Sequence, residues 1–415
     1  MNVIEADPST YSMKTPIANY LENTFSSAER LQSYPGVERN EYDFTSERHN
    51  LYTSNLIEST AHLIKGCLGA GILGMHEAYM RGGLWASLGV TGVIAAVLIY
   101  NMLSLIKSAQ TMYLRLRVPK LPYPDLVEVV IATGPWTGCR KFSKIFRHGM
   151  EIMLVIGFCC TCNIYQIMMA TTFKEVLEDV SETVRNWRLL YRTYVIILTI
   201  PLLLLCCIRK IKYLSGLSIV ADIFVVMCVA TALSYSIAEI GDISLRPAFK
   251  DINGLFNFAG VFLFSIDGLG ISLSIENNMY RPKYFPLITW FAMTIVVLSV
   301  TVVGFFGYWA WGESCHSPIT MHMPPDPFPI ILQFALTIVL AVSFSVNFWI
   351  PFKIFWHYMS RKFSNRNGHW ERFFRCIHVL LITCFSLLTP NLNKFMGLAN
   401  DHHIIQRINE ITKII

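Results

Sequence analysis

Residues 62–83, HLIKGCLGAGILGMHEAYMRGG, decide how the whole chain is read. They form an apolar stretch fit to cross a bilayer, yet glycine stands at Gly66, Gly69, Gly71 and Gly74. A mid-helix glycine costs about 0.8–1 kcal/mol relative to alanine, and hydrocarbon offers no water to a backbone group that opens. Two readings compete. Gly66, Ala70 and Gly74 can form a face of small residues on which a neighbouring helix backbone lies. Alternatively, the helix is interrupted and a ligand satisfies the opened backbone.

The rest of the chain supplies the context. Of 415 residues, 53% are hydrophobic and 15% charged, against about 25% charged in an ordinary soluble domain. Nine runs nearly free of charge reach or approach the roughly 18–20 residues needed to cross a bilayer: 56–80, 84–106, 148–172, 191–208, 214–238, 253–275, 284–310, 328–351 and, more weakly, 373–390. With the N-terminus placed in the cytoplasm, the inner loops 107–147, 209–212, 281–283 and 353–375 hold nineteen Lys and Arg, against seven on the other side. That asymmetry is a topology signal. It assigns the net charge of +6 to membrane orientation and contact with lipid rather than to nucleic acid. Residues 1–50 are polar and proline-containing and read as a disordered cytoplasmic tail. There is no HExxH, no pair of CxxC motifs, no phosphate loop and no nucleophile with its base, so an enzyme is not expected. CCTC at 159–162 reads as small residues packed between helices rather than as a metal or cofactor site.

The sixth run, FLFSIDGLGISLSIENNM, repeats the anomaly of the first, with Gly268 and Gly270 in the middle of an apolar stretch and Asp267 beside them. The first run opens one group of five, and the sixth opens the next in the opposite direction. Paired interrupted helices at corresponding places are the mark of inverted repeats whose breaks build a binding site at mid-membrane. Half-helix N-termini carry positive partial charge and suit an anionic group such as a carboxylate.

HLIKGCLGAGILGM resembles the first-span signature of the proton-coupled amino acid transporters of the amino acid/auxin permease superfamily. IGFCCTCNIY is similar to that family's third span, IRKIKYLSGLSIVAD to its fourth-to-fifth turn, FSIDGLGISLSIENNM to its sixth span, and GYWAWGESCHSPITMHMP to the end of its seventh. The resemblance covers roughly residues 50–400. It implies an all-α polytopic membrane protein with a LeuT-type inverted five-helix repeat, and alternating-access transport of small neutral amino acids driven by protons. It also implies a plasma or lysosomal membrane location. Carried over by position, Gly69, Ala70, Gly71 and Ile72 would meet the substrate carboxylate. Phe264, Ser265, Ile266 and Asp267 would meet its amino group or side chain.

Three departures shape the expectations. Tyr100 stands where many relatives carry a histidine, so the proton carrier is expected to be Asp267 or Asp222. Residues 401–415, DHHIIQRINEITKII, form an atypical polar C-terminal tail where the family continues into further spans, so the second repeat reads as incomplete, with about nine spans in all. His76 and Ser274 replace family prolines. The alternative these departures support is a sensor or inactive truncated isoform that binds an amino acid without transporting it.

Overall fold

The computed structural model describes residues 43–45, 48, 54–68, 70–134, 137–181, 190–208, 211–266, 268–324, 326–360 and 369–388, with backbone only at 70, 137 and 211–222. The sequence expectations at Gly69, at Asp267 and across 401–415 therefore lie outside the described residues, as do those for the side chains of Ala70 and Asp222.

Among the described residues the chain is helical, apart from one isolated bridge between Ser54 and Met279. In order, the helices are α1 (Leu56–Cys67), α2 (Met75–Gly82), α3 (Leu84–Leu116), α4 (Tyr123–Thr133), α5 (Ser143–Val180), α6 (Tyr191–Cys206), α7 (Ile211–Ala238), α8 (Ile252–Ser265), α9 (Leu269–Asn278), α10 (Phe285–Trp311), α11 (Pro327–Met359) and α12 (His369–Leu388). A 3₁₀ turn, Ala70–Gly74, joins α1 to α2. By length and composition, α3, α5, the α8–α9 pair, α10 and α11 can cross a membrane; α6 and the 223–238 part of α7 are shorter apolar helices. Large apolar side chains point outward from these helices, Leu204 at 71% and Ile331 at 68% exposure among them. In water such surface would drive aggregation, whereas in lipid it is the ordinary exterior. The chain is an integral membrane protein.

Local chemistry sets the helix ends. Glu58 accepts from the Asn55 N–H at 3.0 Å at the start of α1, and Asp251 accepts from the Gly254 N–H at 2.8 Å at the start of α8. Both carboxylates satisfy donors that a helix N-terminus leaves open. Between α2 and α3, Gly83 adopts φ +91, a left-handed conformation that penalises any Cβ. A Cβ there would also come within 2.7 Å of the Phe249 Cα. This turn admits the chain before α8, which Leu84 N–H and Ala86 N–H bind through the carbonyls of Pro247 and Ala248 at 3.0 and 2.9 Å.

The helices form two packed groups. In one, α1 lies on α9, α2 on α8, and both pairs pack on α3 and α10. In the other, α5 packs along α11, and α6 and α12 close around them. α7 bridges the groups by packing on α10 and α11. In the second group, Gln166 on α5 donates to Thr199 on α6 at 3.2 Å and to Thr383 on α12 at 3.0 Å, a buried polar junction of three helices. α4 lies across the end of α5, where Arg147 pairs with Asp125 at 3.0 Å and Glu128 at 3.3 Å.

Candidate functional site

Both anomalous runs are interrupted where their glycines sit. α1 stops at Cys67, and Leu68 leaves helical geometry at φ −83, ψ 93. The chain then passes through the 3₁₀ turn into α2, whose N-cap is Gly74. α8 stops at Ser265, Ile266 turns away at φ −127, ψ 31, and α9 starts with Gly268 as its N-cap. Glycine offers no side chain to cap a helix. The first N–H groups of α2 and α9 therefore have no side-chain cap from their N-cap residues.

The two breaks touch. A Cβ placed on Gly71 would run into Ser265 Oγ, and would lie 2.8 Å from the Ser265 Cα and 3.0 Å from Phe264 Cδ1. One Cβ on Gly268 would run into Cys67 Sγ and lie 3.2 Å from Met102 Cε. Glycine at Gly71 is thus required by the close approach of the α8 backbone, and at Gly268 it makes room for the Cys67 and Met102 side chains. Of the expected site residues, the structure brings Gly71 together with Phe264 and Ser265. Ile72 and Ile266 are fully buried in the surrounding core. Ser265 is committed locally: its hydroxyl donates to the Val261 carbonyl at 2.8 Å and lies 3.5 Å from Met75 Sδ. Tyr100 is 58% exposed, on the same outward stripe of α3 as Val93 and Val97.

Below the breaks, toward residue 54, a cavity of about 590 Å³ opens between α1 and α9. Glu58, His62 and Lys65 line one wall, and Ser274 and Asn278 the other. Its upper limit is the contact of Gly66 with Ile271, where a Cβ on Gly66 would be 3.0 Å from Ile271 Cγ2.

At that same end a buried ion pair escapes any reading of sequence pattern. Arg48, from the segment assigned by composition to the polar tail, is 8% exposed and donates from one nitrogen, Nη2, to both Glu276 carboxylate oxygens at 3.2 and 3.1 Å. The remaining guanidinium donors reach the Glu276 carbonyl and the Pro119 carbonyl, both at 2.8 Å. Gln110 on α3 donates to Glu276 Oε1 at 3.0 Å.

The opposite end is closed by rings. His76 on α2 bonds through Nε2 to the His316 carbonyl at 2.9 Å. His322 stacks on Trp311 with centroids 4.2 Å apart, meets His76 edge-on at 5.3 Å, and accepts at Nε2 from the His316 N–H at 3.1 Å. Burial, reinforced by the neighbouring His316, lowers the His322 pKa to about 4. This ring therefore stays neutral in the fold while it would take up a proton in the unfolded chain between its ordinary 6.5 and about 4. Its contribution to stability is complete above pH 6.5 and is lost as pH falls toward 4. The melting temperature of the purified protein should decline across that interval. His322→Gln, which keeps an acceptor and cannot titrate, should flatten the decline; an unchanged pH slope in this variant would exclude His322 as its source.

Comparison with known proteins agrees with this architecture. The family described as "Transmembrane amino acid transporter protein" matches residues 52–400. The chain is 25% identical over 364 residues to "Proton-coupled amino acid transporter-like protein pathetic" of Drosophila melanogaster, covering 86% of this chain and 76% of that protein. It is 22% identical over 345 residues to "Probable amino acid transporter skat-1" of Caenorhabditis elegans, covering 81% and 75%. It is 24% identical over 287 residues to "Vacuolar amino acid transporter 3" of Schizosaccharomyces pombe, covering 68% and 40%. With two interrupted helices meeting at their glycines inside an apolar bundle, and a family match running from before α1 to beyond α12, the chain belongs to the transmembrane amino acid transporter family.

Proposed function

We propose that the chain carries small neutral amino acids across a membrane together with protons, by alternating access in a LeuT-type arrangement. The observation that carries this reading is the junction of the two breaks at Gly71 and Ser265, at the level where α1 ends, α2 begins, α8 ends and α9 begins. A zwitterion suits such a junction. The N-termini of α2 and α9 offer N–H donors and positive partial charge to a carboxylate, while the C-terminal carbonyls of α8, around Phe264–Ile266, suit an ammonium group. Gly69, Ala70, Gly71 and Ile72 are assigned to the first role, and Phe264, Ser265, Ile266 and Asp267 to the second. Proton coupling is assigned to Asp267 or Asp222. Tyr100, on the outer face of α3, is not given that task.

In this reading α1–α2 with α3, α5, α6 and α7 form the first repeat, and α8–α9 with α10, α11 and α12 represent the second. The first packed group then rocks against the second around the junction. The N-terminus lies in the cytoplasm, and the membrane is the plasma or lysosomal membrane, consistent with the loop charges and with the vacuolar transporter among the relatives.

The test is uptake of radiolabelled glycine, alanine and proline into proteoliposomes under an inward proton gradient. Accumulation that collapses with a protonophore supports the proposal. Saturable binding without accumulation overturns it in favour of an amino acid sensor.

A further inference from the structure

The contacts around Glu276 all converge on one helix end. Glu276 lies in the last turn of α9, where carbonyls lack intrahelical partners and the helix dipole favours a cation. Arg48 answers the dipole and adds a second donor to the Glu276 carbonyl, which also accepts from the Met279 N–H at 3.2 Å, while the same guanidinium binds the carboxylate. That guanidinium also sits over the rings of Phe44 and Tyr113, at 4.9 and 5.4 Å. Two further clamps hold the same end. Tyr113 on α3 donates to Asn277 at 3.1 Å, and Asn277 in turn donates to the Leu121 carbonyl at 3.1 Å. Ser54 N–H donates to the Asn278 carbonyl at 2.9 Å, while the Tyr280 N–H returns a bond to Ser54 at 3.2 Å. Arg48 and Ser54, both before α1, thus fasten α9 to α3 and to the turn that follows it.

A buried ion pair is an unusual fastening. Removing both charges from water offsets most of their attraction, so replacing such a pair with apolar groups is often neutral or stabilising. The same property makes it reversible, because when water enters both groups regain hydration and the separated state lies close in free energy. Two apolar surfaces would instead lose stabilisation in proportion to the area exposed.

What the pair restrains is one wall of the 590 Å³ cavity between α1 and α9. That cavity stops at Gly66 and Ile271, just short of Cys67 and Gly268, which touch at the breaks. For the cavity to reach Gly71 and Ser265, α9 must part from α1, and with its far end held to α3 it cannot swing. The geometry points to Arg48 and Glu276 as a charge latch that keeps the junction of the breaks closed on the side of residue 54 and must release for substrate to leave there. This rests on the transport reading above, in which that side is the cytoplasm. Neither residue touches the substrate; both act through the position of α9.

Cys67 supplies a native reporter, being 1% exposed in the latched form. The experiment follows its alkylation by N-ethylmaleimide in the full-length protein, by peptide mass spectrometry, normalised to the half-buried Cys139 in the inner loop between α4 and α5. Arg48→Gln and Glu276→Gln should each raise the Cys67 rate about fivefold or more, the lower end of a coupling between two states. The double variant should be no faster than the faster single, since one latch is opened either way. Arg48→Lys, which keeps the charge and loses the donors to the Glu276 and Pro119 carbonyls, should fall between wild type and Arg48→Gln. It decides the matter if the glutamine variants fail to elute as folded protein. Wild-type labelling rates in folded Arg48→Gln, or in Arg48→Lys where that variant decides, would overturn the latch, as would rates in the double variant that multiply. Uptake by the wild type, measured in parallel, separates the two claims. Faster labelling without wild-type uptake would leave the latch and refute transport, and uptake with unchanged labelling would refute the latch alone.

Discussion

Gly71→Leu is expected to abolish amino acid uptake while the protein still inserts in the membrane. The substitution puts a branched side chain where even a methyl group would strike Ser265 Oγ and approach the Ser265 Cα at 2.8 Å. The hydroxyl could rotate away, but the backbone there belongs to the end of α8 and cannot move without it. Overpacking a well-filled site typically costs about 1–3 kcal/mol. The greater loss is functional, since displacing binding groups by about 1 Å can lower a rate by 10²-fold. Uptake should therefore fall by about two orders of magnitude at matched surface expression. Gly92→Leu on α3 is the control, because a Cβ there meets no atom within 4 Å. It should leave uptake near wild type. A finer arm uses Gly71→Ala with Ser265→Gly: removing the hydroxyl should recover part of the loss, and the α8 backbone, still too close to the new methyl group, should keep recovery incomplete. Normal uptake by Gly71→Leu would mean that the two breaks do not form the substrate junction.

The breaks themselves were legible in the sequence because glycine and a carboxylate in an apolar run are costly in lipid, and such features persist only where the structure compensates for them. Helix positions followed from the same hydrophobic runs. What glycine does there was less legible. Gly71 reads in isolation as an opening for a ligand, and the fold adds a second demand that no local pattern shows: it admits the backbone of α8, from a residue 194 positions away in the chain by their numbers. Arg48 gave no signal at all. It sits in a polar segment, its partner Glu276 is 228 residues distant, and no periodic pattern links a lone arginine to the last turn of a far helix. Tyr100 shows a further limit. Family resemblance puts it where relatives carry a functional histidine, yet each residue advances a helix by about 100°. Ile99 and Asn101 are buried on either side of it, and Tyr100 points outward. Identity at a position and direction on a helix are different facts, and only the second decides whether a side chain can meet a proton path.

The second large effect is expected at Asp267. If uptake is proton-coupled, the wild type should transport faster at about pH 5.5 than at about pH 7.5, and Asp267→Asn should remove the difference. The position supports the assignment: Asp267 falls between Ile266, buried at the end of α8, and Gly268, the N-cap of α9, so it stands at the sixth-run break. A charged side chain at mid-membrane costs about 2.5–3.5 kcal/mol on an insertion scale, so an ionisable residue in such a run points to a functional role. A carboxyl group in such a place can be loaded by a modest acid gradient and unloaded when the site turns to the other side. Asp222 in α7 is the rival carrier, and the role that competes with carrying a proton at that position would be a hydrogen bond between helices. The two substitutions distinguish these roles. A carrier replaced by asparagine should retain binding but lose pH dependence and accumulation against a gradient, whereas a structural aspartate replaced by asparagine should reduce folded protein and leave the pH ratio of the remainder intact. Asp267→Asn is expected to behave in the first way and Asp222→Asn in the second; exchanged outcomes would move the carrier to α7. Survival of the pH dependence in both variants would remove carboxylate coupling at these sites, and a wild type with equal uptake at the two pH values would make the protein a facilitator of amino acid diffusion.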